Sequence, residues 1–99
     1  MRRSLKRIPA VFEAGKLRGR GQIGGVSREG LFFCTDRPPN PGSPVRVVFS
    51  DHLGRKIEVS GDVRWNTAEK INPAAEGFGM HIDHSSDEFP EFYEGLLTG

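Results

Sequence analysis

The segment Lys56-Ile57-Glu58-Val59-Ser60-Gly61-Asp62-Val63-Arg64-Trp65 carries the clearest periodicity in this 99-residue chain. Ile57, Val59, Val63 and Trp65 fall on one side and charged or polar residues on the other, the alternation of a half-buried antiparallel strand. Immediately upstream, Val45, Val47 and Phe49 alternate with Arg46, Val48 and Ser50, and Asp51-His52-Leu53-Gly54 lies between the two runs. The two runs read as a hairpin. Phe78, Met80 and Ile82 alternate with Gly79, His81 and Asp83, and shorter strand patterns occupy Ala10 to Ala14, Arg18 to Val26 and Leu31 to Cys34. Six short strands in one small domain predict an all-β fold with small α content, a six-stranded antiparallel β-barrel, because closure removes aggregation-prone edges.

The connections fit that plan. Arg37-Pro38-Pro39-Asn40-Pro41-Gly42-Ser43-Pro44 places four prolines in seven positions, which deletes too many backbone donors for helix or central strand. It is a stiff loop inside the domain, and Asn66 to Gly77, interrupted by Pro73, is a second loop. After Asp83 the period changes: Phe89, Phe92, Tyr93, Leu96 and Leu97 fall on one face of an amphipathic helix over 87–98. Asp87 as N-cap puts Pro90 at the third helical position, where the backbone donor is unpaired anyway, whereas Ser86 would place it one position later. The aromatic stripe is expected to act as a lid on the barrel, since small domains seldom leave such a patch bare.

Chain length allows one core, so residues 1–99 read as a single domain, with 1–8 a basic flexible arm and 9–84 the barrel. Hydrophobic content is only 35 %, with seven Phe as its bulk, which argues against a large enclosed catalytic cavity. The single cysteine, Cys34, cannot form an internal disulfide, which points to a reducing, cytoplasmic setting. Arg2-Arg3 has the charge of an export signal, but Glu13 follows Pro9-Ala10-Val11-Phe12 at once and leaves no apolar region of sufficient length, and no stretch reaches membrane-spanning length. Charge is divided sharply: residues 1–28 hold eight Lys and Arg against Glu13 alone, a net +7, while the remainder holds six basic and twelve acidic residues, a net −6. An anionic ligand or partner is therefore expected at the amino-terminal side; a solvated basic tail that complements its own acidic body is the plainer alternative.

Several chemical motifs fail on context. Gly19-Arg20-Gly21-Gln22-Ile23-Gly24 spells G-x-G-x-x-G, yet the spacing to Gly25 and Gly30 leaves too few residues for the helix a dinucleotide site requires. These glycines are expected to permit bends or bulges at a barrel rim. His81 and Asp83 share one side of a strand but lack a third ligand, so no metal site is expected. His52 and Cys34 have no partners of the kind nucleophilic catalysis needs, and the chain reads as a non-enzyme. A nucleic-acid-binding barrel would fit the basic arm, but only Phe32 and Phe33 are adjacent and alternation sends one of them inward, a poor stacking platform.

Two segments remain. Arg3 and Arg7, in Arg3-Ser4-Leu5-Lys6-Arg7, lie about twenty residues upstream of Gly25-Val26-Ser27-Arg28-Glu29-Gly30. Guanidinium forks match phosphate oxygens or the edge of guanine, and a serine near a bare glycine backbone adds donors at close range. With these motifs in order, and with Gly61-Asp62-Val63-Arg64-Trp65 and Gly77-Phe78-Gly79-Met80-His81-Ile82 downstream, the chain resembles the PilZ domain family of bacterial cyclic di-GMP receptors. Arg3-x-x-x-Arg7 is similar to the family's R-x-x-x-R and Gly25-x-Ser27-x-x-Gly30 to its [D/N]-x-S-x-x-G.

The resemblance implies a six-stranded barrel with a carboxy-terminal helix, cyclic di-GMP as ligand with no further cofactor, and signalling to a protein partner in a bacterial signalling or motility pathway. It implies that Arg3 and Arg7 grip the nucleotide from the arm, with Arg2 as an adjacent cation or, in a shifted register with Lys6, as part of the motif, and that Ser27 and Gly30 line the barrel side. Gly25 departs from the family's Asp or Asn and offers no acceptor to guanine; a lost base-edge contact costs about 1–3 kcal/mol. Glu29 adds a negative charge where the family is often small. The resemblance therefore also admits an adaptor that has lost the nucleotide and acts through protein partners alone.

Overall fold

Alternating strands are useful only if their apolar faces meet, and here they meet by closing on themselves. The computed structural model describes residues 8–51, 53–67 and 76–98. Its elements are β1 (Ile8–Ala14), β2 (Leu17–Val26), β3 (Gly30–Cys34), β4 (Pro44–Ser50), β5 (Lys56–Asn66), β6 (Gly77–Ser85) and α1 (Glu88–Thr98). The strands form a closed antiparallel barrel in the order β1-β2-β3-β6-β5-β4, with β4 pairing back onto β1. The expected fold is present, including the β4–β5 hairpin, in which Ser50 pairs with Lys56. Pro44 opens β4, a strand position where a missing donor is harmless.

The interior is built on aromatic rings. Phe12, Phe33 and Phe78 contact one another with centroids 5.2–5.3 Å apart, surrounded by Ile23, Val47, Ile57, Val59 and Val63, all buried. Two glycines of β2 make room for them: a Cβ at Gly19 would lie 2.6 Å from Phe12 Cε1, and one at Gly21 would overlap the Cys34 carbonyl. The bulge expected among these glycines is present as well, as a register shift between Ile23 and Gly25 against β3.

Trp65 corrects the sequence reading. Placed by strict alternation on the buried face, it is instead 48 % exposed. The register between β5 and β6 slips between Val63, which pairs with Met80, and Trp65, which pairs with Gly79. One extra residue at that point turns Trp65 toward solvent beside Arg64, which alternation already places there, the known effect of a bulge on the residues that follow. A second irregularity lies between Ser60 and Gly61.

The helix caps one end. It begins at Glu88, directly after Asp87, so Pro90 occupies the third helical position as expected. Ser86 is engaged elsewhere: its hydroxyl accepts from the Glu58 N–H at 3.0 Å and its N–H donates to Glu58 O at 2.8 Å. Phe89 and Phe92 are buried, with Phe92 5.0 Å from Phe49, so the stripe is a lid where it is described; the side chains of Leu96 and Leu97 lie outside the described residues. Beside this lid the buried Asp51 carboxylate accepts from the Leu53 N–H at 2.9 Å and from the Arg55 N–H and Nε at 2.8 Å each. Arg55 Nη1 reaches Glu91 of α1 at 3.4 Å, joining the β4–β5 turn to the helix.

Candidate functional site

The seam where β3, β6 and β5 lie side by side continues at one end into the β2–β3 connection, and an open groove of ≈ 1160 Å³ runs along it. Its first wall is the connection itself. The Ser27 N–H and hydroxyl both donate to Gly30 O, at 2.8 and 3.2 Å, which fixes the turn. Glu29 O accepts from the Ile82 N–H at 2.7 Å and ties that turn to β6. Gly30 pairs with His81, and a Cβ there would stand 2.6 Å from Met80 O, so only glycine lets the two strands approach this closely.

Gly25 differs in kind. A Cβ at Gly25 would meet nothing within 4 Å, and the residue lines the groove. The wall therefore has an unfilled place where the motif's acceptor would stand.

The opposite wall comes from the bulge. Trp65 stacks on Phe32 with centroids 5.3 Å apart and planes 15° apart, and the two rings come together above Gly79, which pairs with both residues across the sheet. Arg64 lines the groove beside the indole, with its Nε 3.0 Å from Asp62 Oδ2. His81 lines it from β6, with Nε2 3.3 Å from Asp83 Oδ1. At the end of β5, Thr67 holds the strand ends together: its hydroxyl donates to Gly77 O at 3.1 Å and accepts from the Gly77 N–H at 2.6 Å.

Gly25, Ser27 and Gly30 are thus brought to one groove, as the spacing of their motif implies. Arg2, Arg3 and Arg7 lie outside the described residues. Arg64, Trp65 and Thr67 were not singled out as site residues by sequence reasoning, although the consecutive cation and aromatic after Gly61 is a signal that could have found the first two. His81 and Asp83 pair with each other, and no group of three His, Cys, Asp or Glu that could hold a metal ion occurs among the described residues. The Ser27 hydroxyl donates to a backbone carbonyl in a structural turn. The groove offers a flat aromatic surface, a guanidinium, an imidazole and the Glu29 carboxylate, which are means of holding a planar, charged ligand.

No helix among the described residues is long and apolar enough to cross a membrane. Among solved structures the chain is similar to the Bacillus subtilis inhibitor of motility (MotI/DgrA), with a TM-score of 0.74 and 12 % identity over 97 % of this chain and 48 % of that one. At that identity the likeness is one of fold, and the chain spans about half the length of that protein. No curated protein matches the chain. Residues 2–93, which hold both arginine and glycine–serine motifs and all six strands, match the PilZ domain, and the chain belongs to that family.

Proposed function

We propose that this chain is a cyclic di-GMP receptor and adaptor module that signals to a protein partner from the cytoplasm of a bacterial cell. The observation that carries the reading is the convergence of the Ser27–Gly30 turn, the Phe32–Trp65 stack and Arg64 on one open groove. Stacking a base on an aromatic face is worth about 1–3 kcal/mol, and a guanidinium is suited to phosphate. Family membership supports cyclic di-GMP as that ligand. Arg2, Arg3 and Arg7 would close over it from the arm, which becomes ordered when phosphates supply its counter-charge and so changes the surface a partner meets. The inhibitor of motility with the same fold supports a partner in a motility or signalling pathway.

A second reading is favoured by Gly25 and Glu29. The empty place at Gly25 removes an acceptor for guanine, and Glu29 puts a negative charge on the groove wall, as expected of an adaptor that acts without nucleotide. Titration calorimetry with cyclic di-GMP on the wild type, Arg7→Ala and Gly25→Asp separates the two. Binding that Arg7→Ala abolishes supports the receptor. Heat only with Gly25→Asp identifies a receptor eroded at one position, and silence in all three supports the nucleotide-free adaptor. Nucleic-acid binding, the third reading, would instead show oligonucleotide affinity falling steeply with salt.

A further inference from the structure

Arg64 and Asp62 form an ion pair on the outer face of β5, at the edge of the groove. Alternation already places both residues on this face. The bulge between Val63 and Trp65 makes Arg64 the extra residue opposite β6, so that it and its aromatic neighbour are exposed together. The side chain of Arg64 is 60 % exposed and that of Asp62 is 35 % exposed. Such a pair is weak, worth about 0.2–1 kcal/mol, and an anion entering the groove can displace the carboxylate. Glu29 is the acid that lines the groove, so a phosphate entering it needs a cation on the barrel as well as on the arm.

We propose that Arg64 is a phosphate-binding residue on the barrel, held in reserve by Asp62, which competes with the ligand for the guanidinium and lowers its affinity. This deepens the cyclic di-GMP reading and rests on it for the identity of the ligand. The competition has a definite size. Freeing Arg64 can raise affinity only by what the ion pair is worth, at most about fivefold. Removing the guanidinium costs a charge-assisted contact and lowers affinity by about tenfold or more.

The test uses the full chain as wild type, Asp62→Asn, Arg64→Ala and the double variant, each titrated with cyclic di-GMP and separately with inorganic pyrophosphate. Affinity is taken from calorimetry, and the Arg64 Nε–Hε resonance is followed by NMR. Asp62→Asn should tighten cyclic di-GMP binding, Arg64→Ala should weaken it, and Asp62→Asn should have no effect once Arg64 is gone. The Arg64 resonance should move with either ligand. Binding of cyclic di-GMP with an unmoved Arg64 resonance and unchanged affinity in Arg64→Ala would overturn the inference and leave the receptor standing. A response of Arg64 to pyrophosphate with none of any variant to cyclic di-GMP would keep the anion site and remove the nucleotide reading. Silence toward both ligands overturns both.

Discussion

Phe32 and Trp65 stack above Gly79, one ring reaching from β3 and the other from β5 over the strand that separates them. Two aromatic residues on next-nearest strands can touch only if the residue between them has no side chain. A Cβ at Gly79 would overlap Trp65 Cε2 and Nε1. Because Trp65 is the only tryptophan of the chain, its emission reports on this contact alone.

Gly79→Ala is therefore expected to lift the indole off its seat, red-shift the emission and lower stability by about 1 kcal/mol, the worth of an aromatic pair. Fluorescence and urea denaturation of the variant check both. Emission identical to wild type would mean that the stack does not depend on the glycine.

The two motif glycines should respond in opposite ways. Gly25→Asp adds a side chain into open space and should leave Tm within about 4 °C of wild type. Gly30→Ala drives a Cβ to 2.6 Å from Met80 O and should cost about 2 kcal/mol, or roughly 8–16 °C in Tm. Thermal denaturation distinguishes them, and equal Tm values would contradict the assignment of Gly30 to strand packing. The difference also bears on binding assays. Activity lost in Gly30→Ala follows from a displaced wall and does not identify a ligand contact.

Acid should weaken the junction between the barrel and its lid through Asp51. Burial pushes the Asp51 carboxyl up, but the backbone N–H of Arg55, the Arg55 guanidinium and the backbone N–H of Leu53 together hold it below its ordinary 3.8. A carboxyl with a depressed folded pKa stabilises the protein fully above its unfolded value, and that contribution fades as pH falls through the lower folded value. Asp51→Asn should accordingly be less stable than wild type at neutral pH, with the gap between the two narrowing below about pH 3.8. Urea midpoints measured from about pH 7 down to about pH 2.5 give the comparison. A gap that stays constant through the acid range would show that the charge of Asp51 does not contribute.

The barrel was legible in the sequence because period-two patterning survives through most of the strand residues that face the core. Val45, Val47 and Phe49 read correctly, as did Phe78 and Met80, since the extra residue of the β5–β6 bulge lies in β5 and not in their own strands. Trp65 did not, for a physical reason: a bulge leaves no compositional mark, and one inserted residue reverses the face of all that follow until pairing resumes. The same blind spot hid half of the groove. Ser27 and Gly30 were recognisable because their turn demands particular residues at fixed spacing, whereas Trp65 joins Arg64 at the groove only through an irregularity in pairing. Exposure of Trp65 also revises the judgement on stacking, since Phe32 has an aromatic neighbour that its own strand does not supply.

The strand order has one further consequence, for how the chain comes to possess a binding surface at all. The hairpins β1–β2 and β4–β5 join neighbours in sequence, but β3 meets β6 only by bringing residues 30–34 against 77–81. Loop-closure entropy makes such distant pairings slow relative to local hairpins. The groove straddles that seam, with Phe32 on one side, His81 on the other and the indole of Trp65 leaning across. No single hairpin contains it. The groove is thus a property of the finished ring, and a partly assembled chain, however rich in strand, does not yet possess it.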